Sequence, residues 1–462
     1  MPINSPHPLY EAHAARWKRC RDAYEGEDAI KDAGTAYLPK IDPSQSDAEY
    51  LAYKKRAPYY EAVARTVNGF VGAISRKPHH IVLPARLEPL KTKATAEKMT
   101  LDDLIRRLCC ETLLMARGGI VVDIDDTTQL PYLAFYPAEA ILNWGEGWVT
   151  LAETIYAGDP KDPYKQSQQQ QIRHLFLKDG IYHVEIWQKK PSAVGADEWG
   201  VVAHMLPTSR GVGLNEIPFF WLSTAGHASM VAKPPLLGLV NLSLSHYCSA
   251  ADLEHGRHFT ALPTLYLSGV QDDDPVCVGG GAVIKLADPA AKAGYAEFTG
   301  KGLQSLETAL STKEQQMAML GASIIAAGPK GVEAAETARL RVAGENALLL
   351  GVVSTVEQAL LLALNFAASW GAPVLAQSQV SLRLNRDFID QPLSAQSLTG
   401  LLGAVQAGKL SLEDFLFALQ QSELLRPNTD IAEEANKLRA ADKPGAVPGA
   451  VATPKSLPVV AQ

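Results

Sequence analysis

Apolar and polar positions follow two different periods along the chain, and each change of period marks a boundary. Residues 8–24 and 46–75 carry the three-to-four-residue spacing of helices. In the second, Tyr50, Tyr53, Tyr59, Tyr60, Val63, Val67 and Phe70 fall on one face, and Lys77-Pro78 stops it. The stretch LDDLIRRLCCETLLMA at 101–116 repeats the helical period and runs into Gly118-Gly119, after which IVVDID has the β-branched content of a strand. Short aromatic or β-branched runs at 131–136, 148–156, 171–177, 181–188, 200–206 and 217–222, separated by Gly, Pro and Asp, read as further strands.

Near 233 the helical period returns. PPLLGLVNLSLSHYCSAADLEHGRHF starts with prolines suited to a helix N-terminus and continues for about 25 residues, roughly 38 Å of helix. Residues 261–300 revert to strand character, and 302–320 to helix, so two helices flank a small β insert. A loop of small residues, ASIIAAGPKG, then precedes a very long helix from Val332 to Trp370. A strand-like SLRLNRDF and helices at 394–407, 411–422 and 430–441 follow. The order predicts an α+β protein of several dependent parts. The Pro- and Ala-rich end, 442–462, buries too little to offset its ordering entropy and reads as a flexible tail.

Composition narrows the function. A hydrophobic share of 47% supports a large core, whereas 43 Lys plus Arg against 50 Asp plus Glu leaves a net charge of −7, with no footprint for gripping nucleic acid through its phosphates. The five cysteines, Cys20, Cys109, Cys110, Cys248 and Cys277, form no Cys-x-x-Cys spacing, so neither a disulfide framework nor a zinc site is encoded. The first twenty residues lack the apolar run of a signal peptide.

Candidate chemistry is sparse. Asp123, Asp125 and Asp126 read as turn formers facing water, and Asp272, Asp273 and Asp274 as a solvated turn or a partner-docking patch. Neither Gly279-Gly280-Gly281 nor Gly328-Pro329-Lys330-Gly331 has the spacing of a phosphate-binding loop. His79-His80, His246, His255 and His258 lack the Glu or Cys that would complete a metal set. With no nucleophile elbow either, no catalytic residue, cofactor or metal is assigned, and an enzyme is not expected. The apolar stretch 347–369 is long enough to cross a membrane. Glu357 and Gln358 at its centre favour instead a helix buried within an assembly, with no membrane partner.

Several segments resemble tailed-bacteriophage portal proteins, and in particular a phage portal group known as DUF4055. YLAYKKRAPYYEAVARTVNGFVGAISRKP at 50–78 resembles that group's opening helix, and GGIVVDID at 118–125 with YPAEAILNW at 136–144 its first strand pair. EQQMAMLGASII at 314–325 and ETARLRVAGENALLLGVV at 336–353 resemble its passage from stem helix through loop to long helix.

The resemblance implies a ring of twelve subunits at one capsid vertex, assembled in the host cytoplasm and carried in the virion. Through it double-stranded DNA is packaged and later ejected. On this chain it implies a wing at 1–225, stem helices at 226–260 and 301–322, a clip at 261–300, a channel loop at 323–335, a long wing helix and strand at 336–390 and a helical crown at 391–441. It further implies Ser323, Ile324, Ile325, Gly328, Pro329, Lys330 and Gly331 facing the DNA, and Asp272, Asp273 and Asp274 at the docking surface of the clip. The partners implied are other copies of the chain, the terminase large subunit, a head-tail adaptor, and capsid and scaffolding proteins. Another head or tail subunit is the alternative, and a membrane protein anchored by 347–369 a more distant one.

Overall fold

The computed structural model describes residues 2–125, 127–159, 162–190, 198–226, 230–260, 264–268, 290, 292–296, 301–322, 335–370, 380–388, 395–422, 424–426 and 429–441. It separates into two compact units, 1–388 and 389–462.

The first unit opens with α1 (Pro8–Glu25) and the short α2 (Glu27–Asp32), then α3 (Asp47–Arg56) and α4 (Ala62–Ile74). The single helix expected over 46–75 is thus two. Pro58 disfavours helical backbone at the residue before it, and Ala57 accordingly ends α3 in an extended conformation, at φ −67° and ψ 115°. Because the helical spacing is not continuous across this break, the expected single face divides. Tyr53, Tyr59, Val63, Val67 and Phe70 are buried, while Tyr60 is exposed.

After β1 (His80–Val82), α5 (Leu101–Met115) ends at Ala116, whose left-handed φ of 59° turns the chain straight into β2 (Arg117–Ile124). Then follow β3 (Pro131–Pro137), β4 (Ile141–Gly145), β5 (Trp148–Asp159), β6 (Asp162–Lys178), β7 (Ile181–Lys190), β8 (Glu198–Met205), a small hairpin of β9 (Thr208–Ser209) and β10 (Val212–Gly213), and β11 (Phe219–Ser223). Strands β4 to β8 form an antiparallel meander, and β11-β2-β3 a second antiparallel sheet. The glycines of β2 have a packing reason, since a Cβ on Gly119 would enter the Phe219 ring and one on Gly118 would lie 2.8 Å from Phe135.

One core joins the sheets through Val121, Tyr136, Ile141, Trp144, Leu151, Leu175, Tyr182 and Val184. Two cations lie at its margins, Arg117 fully buried and Arg173 largely so. Arg117 lies between the rings of Trp144 and Trp221, 4.2 Å from each centroid, and donates to the Met230 carbonyl at 3.0 Å. Burial pushes its guanidinium down to about 10. Arg173 on β6 pairs with Asp123 on β2. Asp123 is therefore not the water-facing turn residue expected, because a buried guanidinium needs a counter-charge. Asp125 does form the turn, accepting from the Thr127 and Thr128 amides at 2.8 Å each. Asp126 lies outside the described residues.

The remainder of the unit comprises α6 (Leu237–Thr260), β12 (Thr264–Ser268), β13 (Lys292–Ala296), α7 (Lys301–Met317) with a π-helical turn at Ala318–Ala322, α8 (Ala335–Ser369) and β14 (Ser381–Arg383), which pairs with β1. The second unit contains α9 (Ala395–Gln406), α10 (Leu412–Gln421) and α11 (Ile431–Ala441), with Arg439 of α11 paired to Glu413 of α10 at 2.7 Å.

Candidate functional site

Strand-poor sequence with helical spacing on either side of a β insert becomes an antiparallel helix pair. Helix α6 carries 24 residues, about 36 Å at 1.5 Å per residue. Its root is fixed to the N-terminal helices. The Ser243 hydroxyl lies 3.0 Å from the Tyr59 hydroxyl and 3.2 Å from the Tyr60 carbonyl, and Tyr53 donates to Asp252 at 2.6 Å. The Cys248 thiol donates to the Tyr37 carbonyl at 3.1 Å. His255 meets the Tyr53 ring edge-on and lies 3.4 Å from Arg56, and its pKa is lowered by burial and by that cation. His255 is thus absorbed in packing.

Helix α7 returns along α6. Ala250, Leu253 and Leu310 form the buried seam, with Leu303 and Leu306 beside it. Three polar contacts fix the register: His246 with Glu314 at 3.3 Å, Lys313 donating to Ser249 at 2.7 Å, and Arg257 with Glu307 at 2.8 Å. Gly256 permits the close approach, because a Cβ there would lie 2.5 Å from Leu303 Cδ2. At the open end the chain leaves α6 into β12 and re-enters α7 after β13, and these two strands pair antiparallel from Thr264↔Ala296 to Ser268↔Lys292.

The opposite face of α7 has a distinct chemistry. Gln304, Thr308, Ser311, Thr312 and Gln315 are exposed there. The ionisable Glu307, Lys313 and Glu314 are engaged with α6 as described above. Two of the exposed hydroxyls are committed to their own helix, Thr308 donating to the Gln304 carbonyl and Thr312 to the Thr308 carbonyl, both at 2.9 Å. These threonines therefore offer solvent a methyl group and acceptor lone pairs rather than a donor.

At its other end α7 widens into the π turn, where Gly321 sits against Thr66 of α4 and Leu239 of α6. Beyond it lies the segment expected to face DNA. Ser323, Ile324, Ile325, Gly328, Pro329, Lys330 and Gly331 lie outside the described residues, as do Asp272, Asp273 and Asp274.

Helix α8 closes the arrangement. Asn346–Ser369 is long and apolar enough to cross a membrane by length and composition. Leu349, Val353, Val356, Leu360, Ala363, Leu364 and Ala367 are nonetheless buried against the rest of the unit. Glu357 at its centre is satisfied, accepting from the Leu384 amide at 3.0 Å and from Arg386 at 3.1 Å. Among the described residues no group of three or more His, Cys, Asp or Glu could hold a metal.

Residues 235–371, from the root of α6 to the end of α8, match the family model of DUF4055, a domain of unknown function. This is the family that the sequence resembles, found over the helices that define the site. Among curated proteins no match is found. Among solved structures, a chain from the neck of an empty GTA particle is similar at 11% identity and a TM-score of 0.42, over 85% of this chain and 98% of that one. A chain from the virion of a native gene transfer agent particle is similar at 12% identity and a TM-score of 0.42, over 84% and 98%.

Sequence spacing could have revealed the neutral stripe of α7, since Gln304, Thr308, Ser311 and Gln315 recur at helical intervals. The partners of Glu307, Lys313 and Glu314 could not have been found that way, because they lie 50 to 68 residues away on α6.

Proposed function

We propose that this chain is a portal subunit: one member of a ring, dodecameric, at a single capsid vertex, through which viral double-stranded DNA is packaged and later ejected. It has no catalytic role in this reading. The observation that carries it is the exposed face of α7. A duplex is gripped by donors and cations directed at its phosphates. Here the cation Lys313 is turned onto α6, and the two threonine hydroxyls whose bonds are known donate into the helix. Such a face suits a wall along which DNA slides without being held. The antiparallel α6–α7 pair is then the stem, and 261–300, between its helices, the clip that meets the terminase large subunit and the head-tail adaptor. The wing and crown face capsid and scaffolding proteins.

The segment 323–335, between α7 and α8, is read as the channel loop, with Lys330 as its one cation per subunit. Gly328 and Gly331 allow backbone shapes closed to other residues, and Pro329 fixes one φ angle between them.

Placing cations on the wall tests the reading. Thr308→Lys combined with Thr312→Lys should leave rings visible by negative-stain imaging, slow packaging, and create salt-sensitive DNA binding by purified rings. Each new phosphate contact should steepen log K against log salt by about 0.9. Normal packaging with no gain in DNA affinity would remove α7 from the channel wall. A purified chain that forms no rings would overturn the portal reading and favour another head or tail subunit.

A further inference from the structure

Residues 2–7, ahead of α1, form a strap that the portal reading does not use. The His7 amide donates to the Leu142 carbonyl of β4 at 2.9 Å, and Asn143 Nδ2 donates to the Ser5 carbonyl at 2.9 Å. Because β4 is an edge of the five-stranded meander, the strap covers that edge. Pro2, Ile3 and Ser5 also border a cavity of about 430 Å³ with Trp148, His174 and Phe176. His7 ties the strap to both neighbours. Its ring stacks on Trp144 of β4 at 4.1 Å between centroids, and its Nδ1 accepts from the Leu9 amide at 3.0 Å, capping α1. Pro8 has no amide hydrogen, so Leu9 carries the first donor of the helix.

We propose that the strap 2–7 is an acid-released cover of the β4 edge, with His7 as its latch. To accept at Nδ1 the imidazole must be neutral, with its proton on Nε2. A proton added to Nδ1 would face the Leu9 N–H, donor against donor, so the ring cannot be charged and cap α1 at once. The new charge would also sit at the positive end of the helix dipole. A second cation is already close, since the Arg117 guanidinium of β2 lies 4.2 Å from the centroid of the same Trp144 ring. The other ionisable groups about the strap are Tyr10 and Glu11 of α1, Glu139 between β3 and β4, which is paired with Arg21 at 3.0 Å, and Glu146 and His174 at the cavity. Burial first, and then the Arg117 charge, lower the His7 pKa. The latch therefore holds at neutral pH, loosens as pH falls through the ordinary imidazole value of about 6.5, and loosens no further below the lowered pKa. Release frees the Leu142 carbonyl and with it the edge of the meander.

The test is hydrogen exchange of the full-length, tag-free chain at about pH 7.5 and about pH 5, on either side of the imidazole range, with rates corrected for the intrinsic effect of pH. The His7 and Leu9 amides should lose about fivefold protection in acid, the size of a lost cap, while amides of β5 and β6 keep theirs. His7→Asn caps a helix without titrating, so it should keep that protection at both pH values. His7→Ala should lack it at both. Protection in the native chain that does not change with pH overturns the proposal, as does loss in His7→Asn equal to that of its parent. Should the variants fail to fold, the native chain decides: loss centred below about pH 6.5 supports the latch, and loss centred above it, or none, overturns it.

Discussion

Two chemically identical substitutions should change stability in opposite directions. At Gly321 an added Cβ would lie 2.5 Å from Thr66 Oγ1, 2.8 Å from Thr66 Cγ2 and 2.9 Å from Leu239 Cδ2. Carbon atoms in good contact sit at about 3.5–4.0 Å, so the π turn must move away from α4 and α6 by the better part of an ångström. Overpacking of this kind costs about 1–3 kcal/mol. At Gly351, in the interior of α8, an added Cβ meets nothing within 4 Å, and Gly351→Ala should gain about 0.5–1 kcal/mol from the lower entropy of the unfolded chain. Unfolding entropy is about 2.1 cal/mol/K per residue, which over the 388 residues of the first unit gives about 0.8 kcal/mol/K. Gly321→Ala should then lower the melting temperature by about 1–4 °C and Gly351→Ala raise it by about 1 °C, with urea midpoints moving in the same directions. Amides of Ala318–Ala322 should exchange faster in Gly321→Ala alone. Equal effects of the two substitutions would refute the packing argument, as would a Gly321→Ala protein as stable as its parent.

Other outcomes follow from the buried ionic groups and the unpaired segments. Arg117→Lys should cost about 2 kcal/mol in urea denaturation, because an ammonium cannot lie flat between Trp144 and Trp221 as a guanidinium does; an unchanged midpoint would contradict the sandwich. His79 is held neutral by burial, with a smaller opposing influence from Asp102, and its Nδ1 lies 3.2 Å from the Asn385 amide that donates to it. Its folded pKa lies below the ordinary imidazole value of about 6.5, as do those of His174 and His246, also through burial first, so the unfolded chain binds more protons just below that pH. Stability should therefore be full above about pH 6.5, fall as pH drops through that value, and level off below the folded pKa values, with a shallower fall in His79→Gln. If 261–300 is the clip, replacing Asp272, Asp273 and Asp274 by Ala should weaken docking of the terminase large subunit while rings persist, as judged by co-sedimentation; unchanged docking would remove the acidic run from the docking surface. Deleting 326–331 should leave rings intact and impair packaging or retention of DNA, and packaging with full retention would remove 323–335 as the channel loop.

Much of the fold was legible because its periods are strong. Helices α1, α5, α6 and α8 and the strands around Gly118-Gly119 follow from spacing and from punctuating Gly and Pro. The break at Pro58 was marked in the sequence but masked by tyrosines that continued the apolar pattern across it. The outer half of β6 carried no strand signal, since QSQQQQ has little intrinsic preference for extended backbone and is held there by its ladder to β5. The site was legible as a helix, insert and helix, but not in its chemistry. That Glu307, Lys313 and Glu314 turn inward depends on partners brought near only by folding.

The β5–β6 hairpin outruns its sheet. Strand β6 pairs with β7 only from Gln171 to Lys178, so Asp162–Gln170 is joined to β5 alone. Opposite them β5 supplies Thr154–Asp159, and six residues at about 3.3 Å make an arm of about 20 Å. Successive side chains point to opposite faces, so removing two residues from each strand would retract the arm by about 7 Å with every remaining side chain still on its own face. Removing one from a single strand would break the ladder. The arm is thus a ruler graduated in residue pairs, whose reach can be reset by cutting Thr154-Ile155 together with Gln169-Gln170. That change leaves Arg173, Leu175 and the core beneath them where they are.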